Sequence, residues 1–417
     1  MIATNFKDTS LGILPTDWDV MQLADIANII MGQSPPSSTY NTEGDGLPFL
    51  QGKAEFGETY PSPVKWCSQP QRKASVGSIL ISVRAPVGNV NVAKDEYCIG
   101  RGLASLDGKD RLDNWFLFYQ LMHSKNRLEQ RGTGSTFQSI NKGVLQEFEF
   151  PLPPLPEQRV ISHVLTTVHQ SIEATERVIN AAKELKRSMM KHLFTYGPVP
   201  VDRVDQVLLK ETEIGEIPEE WDEFQVGDFA DIKAGGTPSR SKPEYWEGNI
   251  PWVKTGEINY NIITKTEETI SEEGYINSSA KLIPAGTLLM VMSEQGVTRG
   301  RVAILGIDAT LNQACAAFFI PSTISRDFLF HYFSYHYETI RNMGHGAHQK
   351  NLSATLIKTI PVSLPPFNIQ QFIANFLSSV NERIQVETDR KVSYELLFNS
   401  LLHHLMTGKV RVANVAE

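Results

Sequence analysis

The sequence predicts an α+β protein in which two tandem copies of one globular module are each followed by a single long helix. Three observations lead to this fold class. Motifs from the first half of the 417-residue chain return in the second half, as expected for an internal duplication. Short β-like runs punctuated by Gly, Pro, Asn and Asp fill the globular parts, and a heptad-like apolar pattern follows each of them.

The duplication is clearest at Gly, Pro and Trp positions. Trp18 in the first copy corresponds to Trp221, 203 residues later, and Pro153 corresponds to Pro365, 212 residues later. The change of offset predicts an insertion of nine residues in the second copy, between these two positions. We expect both tryptophans in the cores of their modules, because large aromatic side chains stabilise a core through their buried area.

The globular modules are predicted over residues 1–154 and 198–366. Runs such as "GSILISVRAP" and "GTLLMVMSEQ" read as strands, and short helical patterns follow them, which favours sheets with elaborate loops. Each module has the size of a common domain. Residues 410–417 are predicted as a tail.

The long helices are predicted over residues 155–197 and 367–409. Pro156 fits the first turn of the first helix, where a missing N–H removes no hydrogen bond. At the second helix Asn368 is predicted as the cap, with Gln371 completing a capping box. The predicted apolar seams comprise Ile161, Leu165, Val168, Ile172, Thr175, Ile179, Ala182, Met189 and Leu193 in the first helix, and Ile373, Leu377, Val380, Ile384, Lys391, Tyr394, Leu397, Leu401 and Leu405 in the second.

Two similar modules that are each followed by a rod can be arranged in few ways. About forty helical residues give a rod of roughly 60 Å, which is long enough to act as a spacer. Antiparallel pairing of the rods would relate the modules by a pseudo-two-fold axis, which fits the dyad symmetry of duplex DNA. Each module would then read a half-site, and the target would be asymmetric and bipartite. A duplicated coiled-coil scaffold that binds other proteins explains the architecture equally well.

Composition disfavours several classes of protein. No apolar run is long enough to span a bilayer and the N-terminus lacks a signal-peptide pattern, so we expect a cytoplasmic protein without membrane contact. Cys67, Cys98 and Cys315 form neither a disulfide framework nor a CxxC zinc pattern. The net charge of −8 disfavours a nonspecific nucleic-acid coat protein but permits a local basic surface.

Motifs of known catalytic sites are not recognisable in the sequence. It has no ATP-binding P-loop and no Asn-Pro-Pro-Tyr-type tetrapeptide of amino-methylating enzymes. The loops "GTGSTF" and "GHGAHQ" lack the third Gly of a dinucleotide-binding fingerprint. His345 and His348 have no matching Cys or carboxylate cluster, so we interpret them as loop histidines and not as metal ligands. These observations favour a recognition or scaffolding subunit, while an enzyme with unrecognised motifs stays an open alternative.

Several motifs together resemble the specificity subunits of type I restriction–modification systems. They are the opening "LPTDWDVMQLADIANIIMGQSP" at Leu14, its echo "IPEEWDEFQVGDFADIKAGGTP" at Ile217, the run "FPLPPLPEQRVI" into a long helix, and the ending "SLLHHLMTGKVRV" from Ser400. The resemblance covers essentially the whole chain. In the second copy "PFNIQQF" replaces the "PLPEQ" form, and we expect capping by Asn368 and Gln371 to substitute for it.

The resemblance implies two α/β target recognition domains, residues 1–154 and 198–366, separated by two long antiparallel helices. It implies that each domain reads one half of a bipartite site on double-stranded DNA, and that the helices set the spacer and dock two modification subunits. Those subunits would bind S-adenosylmethionine and methylate adenine, and motor-nuclease restriction subunits would join the restriction complex. The resemblance implies neither a cofactor, a metal nor a catalytic residue in this chain.

DNA-reading residues are predicted on loops of both modules, because Arg, Lys, Asn and Gln read base edges best and hydroxyls are weaker readers. The repeat supports these positions, since Arg101 corresponds to Gln313 and Gln138 to Lys350. For any single residue, an exposed polar side chain without a DNA contact is the simpler interpretation. The candidates are Gln51, Lys53, Ser82, Arg84, Arg101, Ser135, Thr136 and Gln138 in the first module, and Lys254, Thr255, Ser293, Gln295, Arg299, Arg301, Gln313, His348 and Lys350 in the second.

Overall fold

The computed structural model describes residues 5–132, 139–293, 297–343 and 352–412. The chain divides into two compact units. Unit 1 comprises Met1–Val178 together with Glu387–Glu417, and unit 2 comprises Ile179–Val386. Each unit therefore combines one globular module with segments of both long helices, and the unit boundaries fall inside those helices.

Unit 1 consists mainly of short strands, with four short helices and the first half of a long one. Its strands are β1 (Phe6–Thr9), β2 (Gly12–Pro15), β3 (Asp19–Gln22), β4 (Ala27–Met31), β5 (Tyr40–Asn41), β6 (Leu47–Leu50), β7 (Trp66–Cys67), β8 (Lys73–Ala74), β9 (Ile79–Ser82), β10 (Val90–Val92), β11 (Tyr97–Ile99), β12 (Leu103–Gly108) and β13 (Glu149–Leu152). Its helices are α1 (Leu23–Ile26), α2 (Asn114–His123), α3 (Lys125–Gln130), α4 (Lys142–Gln146) and α5 (Leu155–Tyr196), which continues into unit 2.

Unit 2 repeats this pattern of short strands, short helices and one long helix. Its strands are β14 (Leu209–Thr212), β15 (Gly215–Pro218), β16 (Asp222–Gln225), β17 (Asp231–Ala234), β18 (Trp246–Val253), β19 (Ile262–Ile263), β20 (Glu268–Ile270), β21 (Leu288–Val291), β22 (Val302–Leu305), β23 (Thr310–Leu311), β24 (Cys315–Phe319) and β25 (Pro361–Leu364). Its helices are α6 (Val226–Phe229), α7 (Glu272–Ile276), α8 (Arg326–Tyr335), α9 (Tyr337–Asn342), α10 (Ala354–Lys358) and α11 (Phe367–Met406), which continues into unit 1.

The sheets of the two units have matching topology. Unit 1 has an antiparallel sheet of order β10-β9-β12-β4, and unit 2 has the order β22-β21-β24-β17 with β19 added at the β22 edge. A parallel pair, β6 with β11 in unit 1 and β18 with β23 in unit 2, belongs to a second sheet. The strand before each long helix, β13 or β25, pairs with β3 or β16. The predicted α+β class and the internal duplication are therefore confirmed.

The nine extra residues of the second copy lie in two places. Trp66 and Thr269, which occupy the same position in the second sheet of each unit, are still 203 residues apart. Ser82 and Val291, which occupy the same position opposite β12 and β24, are 209 residues apart. Six extra residues therefore precede β21 and accommodate α7, and three lengthen the loop between β21 and β22.

The core of unit 1 is completed by both long helices. Trp18 and Phe116 are fully buried there, together with Ile161 from α5 and with Phe398 and Leu405 from α11. The prediction that Trp18 is a core residue is confirmed. Apolar side chains from two distant parts of the chain thus bury one another, which is the main stabilising contribution in such a core.

An ion cluster that we call the Arg411 clasp fixes the segment after α11 within unit 1. The Arg411 guanidinium donates to both carboxylate oxygens of Glu157, at 2.7 and 2.8 Å, and to those of Asp17, at 3.0 and 2.6 Å. Trp18 Nε1 donates to Glu157 Oε2 at 3.0 Å. Only 6% of the Glu157 side chain and 13% of that of Arg411 are exposed. The start of α5 and the end of α11 therefore meet, and the two helices run antiparallel in this unit.

The core of unit 2 is built in the same way from the other halves of the helices. Trp221 and Phe328 are buried with Phe194 from the end of α5 and Ile373 from the start of α11. The core position predicted for Trp221 is confirmed, and the helices run antiparallel here also. In this unit the chain simply continues from α5 through Gly197, whose φ of 75° suits glycine after a helix end.

Both long helices begin with the same glutamine contact. The side-chain amide of Gln158 donates to Pro153 O at 2.8 Å, and that of Gln370 donates to Pro365 O at 2.8 Å. The side-chain oxygen of each glutamine accepts the backbone N–H of the residue that caps α2 or α8, at 2.9 Å. This glutamine explains why the Leu-Pro-Pro motif occurs twice with a Gln four residues after its second proline.

The capping box predicted for the second long helix is wrong. Helix α11 already begins at Phe367, so Asn368 lies inside its first turn and cannot be the residue that precedes it. Gln371 is exposed. The contact made by Gln370 takes over the role of fixing the helix start.

The heptad-like seams describe the buried helix faces in part, because at Met189, Leu397 and Leu401 the next residue is the more buried one. Ile161, Leu165, Ile373 and other seam residues of both helices are buried as predicted. In the second half of α11, however, Leu397 is 46% exposed whereas the next residue, Phe398, is 7% exposed. The larger aromatic side chain occupies the core position because it packs against Tyr119 and His169.

Candidate nucleic-acid interface

In unit 1, two of the predicted DNA-reading residues meet at an open cleft of about 610 Å³. Gln51 follows β6 and Arg101 follows β11, and the parallel pairing of these strands brings both to the same edge. Among the described residues that line the cleft there is no carboxylate. The lining consists of Gln33, Ser34, Pro35, Pro36, Ser37, Tyr40, Gln51, Gln71 and Arg101.

A single hydroxyl organises this cleft. Ser34 Oγ accepts the backbone N–H of Arg101 and the side-chain amide of Gln51, each at 3.2 Å. Backbone bonds from Gly32 N to Leu103 O and from Gln33 N to Ile99 O, both 2.9 Å, fix the same loop. We call residues 100–103 with their hydroxyl partner the anchored turn of unit 1. It holds the Arg101 backbone while the Arg101 side chain stays exposed.

Two glycines allow the anchored turn to touch Gln51. Gly102 N donates to Gln51 O at 3.2 Å, and a Cβ at residue 102 would lie 2.5 Å from that oxygen. A Cβ at Gly100 would lie 3.1 Å from the Cα and the Oε1 of Gln51. Glycine is therefore required here for close backbone approach and not for an unusual φ.

The aromatic wall of the cleft is held in place by packing and one hydrogen bond. Tyr40 stacks on Phe49 with ring centroids 4.6 Å apart, and its hydroxyl donates to Pro35 O at 2.9 Å. Burial raises the pKa of the Tyr40 phenol. Tyr40 therefore acts as a fixed hydrogen-bonding surface and stays protonated at neutral pH.

Two further predicted cations of unit 1 lie outside the cleft lining. Lys53 is exposed at the start of a short 3₁₀ helix, Lys53–Glu55, two residues after Gln51. Arg84 is exposed in the loop after β9, where its backbone forms an isolated bridge with Ser139. Both positions suit contacts to phosphate groups, which require a cation at the surface and little geometric precision.

Two predicted readers, one in each unit, are buried, and the structure does not support a direct DNA contact for them. Ser82 is 1% exposed; its hydroxyl donates to Pro86 O at 2.7 Å and accepts Asn89 N–H at 2.9 Å. Arg299 is 9% exposed and donates to Arg341 O at 2.7 Å. Both side chains stabilise the loop after β9 or β21 through these hydrogen bonds to backbone groups.

Unit 2 contains an equivalent anchored turn, residues 312–315. Thr237 Oγ1 accepts the backbone N–H of Gln313 at 3.5 Å, as Ser34 does for Arg101. Gly235 N donates to Cys315 O at 3.0 Å, which matches the bond between Gly32 and Leu103. The alignment of Arg101 with Gln313 is therefore confirmed by the backbone. Gln313, like Arg101, is exposed.

The surroundings of this second turn are charged differently. Lys254, which corresponds to Gln51, pairs with Glu267 at 2.6 Å and Glu268 at 3.2 Å. Hydrogen bonds that Lys254 donates to these two carboxylates, to Glu267 above all, raise the pKa of Lys254. Arg240 pairs with Glu268 at 2.6 Å, and its guanidinium lies 3.6 Å from the ring centroid of Trp246. Carboxylates therefore neutralise the cations beside the turn of unit 2.

The other predicted residues of unit 2 occupy partly buried positions. Thr255 begins a short 3₁₀ helix, Thr255–Glu257, next to Lys254. Ser293 follows β21 and is partly buried. Arg301 Nη1 donates to Asn259 Oδ1 at 3.0 Å. Six predicted residues lie outside the described part of the chain: Ser135, Thr136, Gln138, Gln295, His348 and Lys350.

Sequence reasoning missed the residues that build both anchored turns. Ser34 and Thr237 supply the hydroxyls, and Gln33 and Gln71 add amides to the cleft of unit 1. A signal was present in the repeat, because "GQSP" and "GGTP" align and place a hydroxyl two residues after a shared glycine. A matched hydroxyl in a loop is a candidate for a shared backbone contact.

The described part of the chain has neither a metal-binding cluster nor a membrane-spanning helix. Within the described ranges, no three His, Cys, Asp or Glu side chains are grouped so that they would hold a metal ion. Across those same residues, no helix combines the length and apolar character needed to cross a membrane. All three cysteines are buried thiols.

Comparison with known proteins gives a consistent result. The sequence model of the "Type I restriction modification DNA specificity domain" family matches residues 15–184 and 218–395. A putative type I restriction enzyme specificity subunit of Methanocaldococcus jannaschii is 45% identical over 194 residues, which is 46% of each chain. This chain therefore spans about half the length of that relative in the match. A second specificity subunit of the same organism is 24% identical over 99% of this chain and 97% of its own.

Solved structures agree on the fold. The crystal structure of a type I restriction–modification system S subunit from M. genitalium aligns with a TM-score of 0.66. The alignment covers 93% of this chain and 96% of that one, at 17% sequence identity. The repeated fold, the paired anchored turns and the two matched segments lead to one conclusion: this chain belongs to the family of type I restriction–modification DNA specificity subunits.

Proposed function

We propose that this chain gives DNA sequence specificity to a type I restriction–modification complex and is itself non-catalytic, with each unit reading one half of an asymmetric bipartite site. The observation that carries this proposal is the anchored turn, which occurs in both units on the same backbone but presents Arg101 in one and Gln313 in the other. Two readers of different half-sites require this combination of a shared backbone and different side chains.

The chemistry of the unit 1 cleft supports contact with duplex DNA. Amides and one guanidinium are the groups that form paired hydrogen bonds with base edges in the major groove. The described lining contains no carboxylate that would repel phosphates. Lys53 and Arg84, exposed outside the cleft lining, would supply phosphate contacts that orient the unit without reading sequence.

The two long helices provide the connection between the readers. Helix α5 passes from unit 1 into unit 2, and α11 passes from unit 2 into unit 1. We propose that these helices set the spacer of the bipartite site and dock two modification subunits. Exposed apolar side chains on them, among them Leu185 and Leu396, support docking of partner proteins, because apolar surface on a helix favours burial.

In this proposal the chemical steps belong to the partners. The modification subunits bind S-adenosylmethionine and methylate adenine, and restriction subunits add the motor and nuclease in the restriction complex. The chain itself has no cofactor and contributes double-stranded DNA recognition. Purified alone, it would show no methyl transfer.

The test is a methylome. The chain is co-expressed with its modification subunit in a host that lacks adenine methylation, and N6-methyladenine is mapped by single-molecule sequencing. A bipartite asymmetric motif with a fixed gap would support the proposal. A soluble complex that gives no motif and shows no salt-dependent DNA binding would instead favour a protein-binding scaffold.

A module exchange sharpens this test. Replacing residues 1–154 by the first module of another family member should change one half-site and leave the other half-site and the gap unchanged. A change in both half-sites, or in neither, would contradict the assignment of one reader to each unit.

A further inference from the structure

The anchored turns also indicate which bases are read. We propose that residues 101 and 313 are a matched pair of specificity positions, at which Arg101 reads a guanine in one half-site and Gln313 reads an adenine in the other. This inference rests on the proposed function and deepens it, since it assigns a base to one position of each unit.

The first step is that the two positions are geometrically equivalent. Residue 100 N donates to Leu50 O at 2.8 Å, and residue 312 N donates to Val253 O at 2.9 Å. Residue 103 N donates to residue 100 O at 3.0 Å, and the corresponding bond in unit 2 is 2.9 Å long. With the hydroxyl contacts of Ser34 and Thr237 added, equivalent hydrogen bonds fix the backbone on both sides of residues 101 and 313.

The second step is that both side chains are available. Arg101 and Gln313 are exposed, and neither side chain has a hydrogen-bond or ion-pair partner within the described ranges. Other predicted readers are already engaged, as Lys254 is by Glu267 and Arg301 is by Asn259. A fixed backbone with an unengaged polar side chain is the arrangement that a base-reading position needs, because little ordering remains to be done on binding.

The third step compares base contact with the alternative role for residues 101 and 313, which is contact with phosphate groups. Both half-sites carry the same phosphate charge, and a phosphate contact needs a cation but no matched pair of hydrogen-bonding groups. Unit 2 has Gln313 where unit 1 has Arg101. The cation is therefore absent from unit 2, but a side chain able to form two hydrogen bonds is kept. Base edges differ between half-sites, and this exchange therefore suits a base contact.

The fourth step assigns the bases from hydrogen-bond geometry. The planar guanidinium presents two parallel donors, which match the O6 and N7 acceptors of guanine. The carboxamide of Gln presents one donor and one acceptor, which match N7 and the N6 amino group of adenine. Gln51, held by Ser34 beside Arg101, lies close enough to the cleft to read a neighbouring base.

The experiment uses the complex of this chain with its modification subunits and duplexes that carry the motif from the methylome. Each base pair of both half-sites is replaced in turn, and binding is measured for the wild type, Arg101→Ala and Gln313→Ala. For Arg101→Ala we expect discrimination at one G·C pair of one half-site to fall roughly 5- to 150-fold, with all other pairs still discriminated. For Gln313→Ala we expect the same at one A·T pair of the other half-site.

Exchange variants test the base assignment directly. Arg101→Gln should shift the preferred base from guanine to adenine at that one position, and Gln313→Arg should do the opposite in the other half-site. Arg111→Gln is the control, because Arg111 is an exposed arginine of unit 1 that pairs with Asp19 away from the cleft. This control should leave the motif unchanged.

Three results would overturn the inference while leaving the proposed function intact. Arg101→Ala could weaken binding to every duplex by one factor and lower the salt slope, which would indicate a phosphate contact. It could change nothing, or it could abolish binding although the complex still assembles and unfolds at its usual temperature. Absence of any sequence preference in the wild-type complex would instead contradict the proposed function itself.

Discussion

The two anchored turns share their main backbone hydrogen bonds and differ in their electrostatic surroundings. In unit 1 the position beside the turn is the neutral Gln51, and the exposed cation is Arg101 on the turn itself. In unit 2 the cation is Lys254 beside the turn, where Glu267 and Glu268 neutralise it. The strand pairing shows that Lys65 of unit 1 corresponds to Glu268, so the charge of this position is reversed between the units.

This difference shows how a duplicated fold presents different polar surfaces on a shared backbone. The residues that define the turn are hydroxyls, glycines and backbone groups, whereas the residues that vary are polar side chains at its surface. Backbone geometry and surface charge are therefore encoded by separate positions.

The Arg411 clasp fixes the segment after α11 to the start of α5 in unit 1. In unit 2 no such contact is needed, because the chain continues directly from the end of α5 into the module. Arg411→Met would leave the Glu157 carboxylate buried with only Trp18 as a donor. Removing one partner of a buried pair costs about 3–5 kcal/mol, so we expect a loss of this size in the free energy of unfolding. Hydrogen exchange should become faster in the last turns of α11, and urea unfolding gives the energy.

A matched control separates this effect from the loss of a surface pair. Arg111 pairs with Asp19 at 2.6 Å, but 63% and 50% of these side chains are exposed. Arg111→Met should therefore cost under about 1 kcal/mol. Equal losses for the two variants would show that the clasp contributes no more than an exposed ion pair.

Gly102 distinguishes the turn of unit 1 from that of unit 2, where Ala314 occupies the same position. Ala314 N donates to Asn312 Oδ1 at 2.7 Å, whereas Gly102 N donates to Gln51 O. Gly102→Ala would place a Cβ 2.5 Å from that oxygen, so we expect a loss of about 1–3 kcal/mol and displacement of Gln51. Thermal unfolding and the methylation motif measure the two effects.

The control for this variant is Gly52→Ala. A Cβ at Gly52 meets no heavy atom within 4 Å, and its φ of −173° is extended backbone that any residue adopts. Stability and motif should stay within the error of the wild type. A Gly102→Ala protein that behaves like Gly52→Ala would contradict the close approach described here.

At one equivalent buried position unit 2 has a histidine, His331, and unit 1 has a tyrosine, Tyr119. The contact of the histidine is sensitive to acid. His331 Nε2 lies 3.1 Å from Ser378 Oγ, while the corresponding Tyr119 hydroxyl donates to Thr166 at 3.1 Å. Burial, with a smaller effect of Lys186, lowers the pKa of His331 to about 3. Burial raises the pKa of Tyr119 to about 12, so the phenol does not titrate between pH 5 and 8.

The sign of the pH effect follows from the lowered pKa of His331. The unfolded histidine, with its ordinary pKa of 6.5, binds a proton more readily, so stability is complete above pH 6.5 and falls as the pH decreases toward 3. At pH 5 the loss is about 2 kcal/mol for this group. His331→Tyr should therefore remove about 2 kcal/mol of the stability difference between pH 7.5 and 5, measured by urea unfolding.

An unchanged pH dependence in His331→Tyr would show that the histidine is not held neutral. His336→Gln provides a comparison within the same unit, because burial lowers the pKa of His336 to about 4. This second variant should remove a similar or smaller part of the acid sensitivity.

The smallest effect is expected from the charge difference beside the turns. Replacing Glu267 and Glu268 by Gln would release Lys254 from its two carboxylates. We expect under about 1 kcal/mol of stability change, because the pairs are partly exposed. The slope of log affinity for DNA against log salt should steepen by about one to two, since Lys254 and Arg240 both lose a carboxylate partner. An unchanged slope would show that Lys254 lies away from the DNA.

The parts of the fold with strong periodicity could be predicted from the sequence. The repeat, both long helices and their seams follow from spacing alone, since a helical face recurs every 3.6 residues. The seam position predicted at Leu397 is occupied by the next residue, Phe398, and this error shows the limit of this reasoning. Two adjacent apolar residues satisfy the period almost equally well, and packing against Tyr119 decides between them.

The site was predicted less completely because its geometry depends on contacts that are distant in sequence. Arg101 and Gln51 were identified as polar loop residues, but Ser34 lies 67 residues from the Arg101 N–H that it accepts. Ser82 and Arg299 look like surface residues in sequence but are buried, and they donate to the backbone oxygens of Pro86 and Arg341. A local sequence pattern shows residue types and their periodicity. Whether a polar side chain is buried depends on hydrogen bonds to residues that are distant in sequence.

The division of the chain into a continuous and a discontinuous unit has a consequence for biosynthesis. Unit 2 is one uninterrupted stretch, Ile179–Val386, whereas unit 1 takes its core from both sides of that stretch. A ribosome that has translated residue 386 has delivered all of unit 2 and still withholds Phe398 and Leu405 from unit 1. The module that is synthesised first is therefore completed last, and its apolar helix seam stays uncovered during the interval in which a nascent chain is most prone to misassembly.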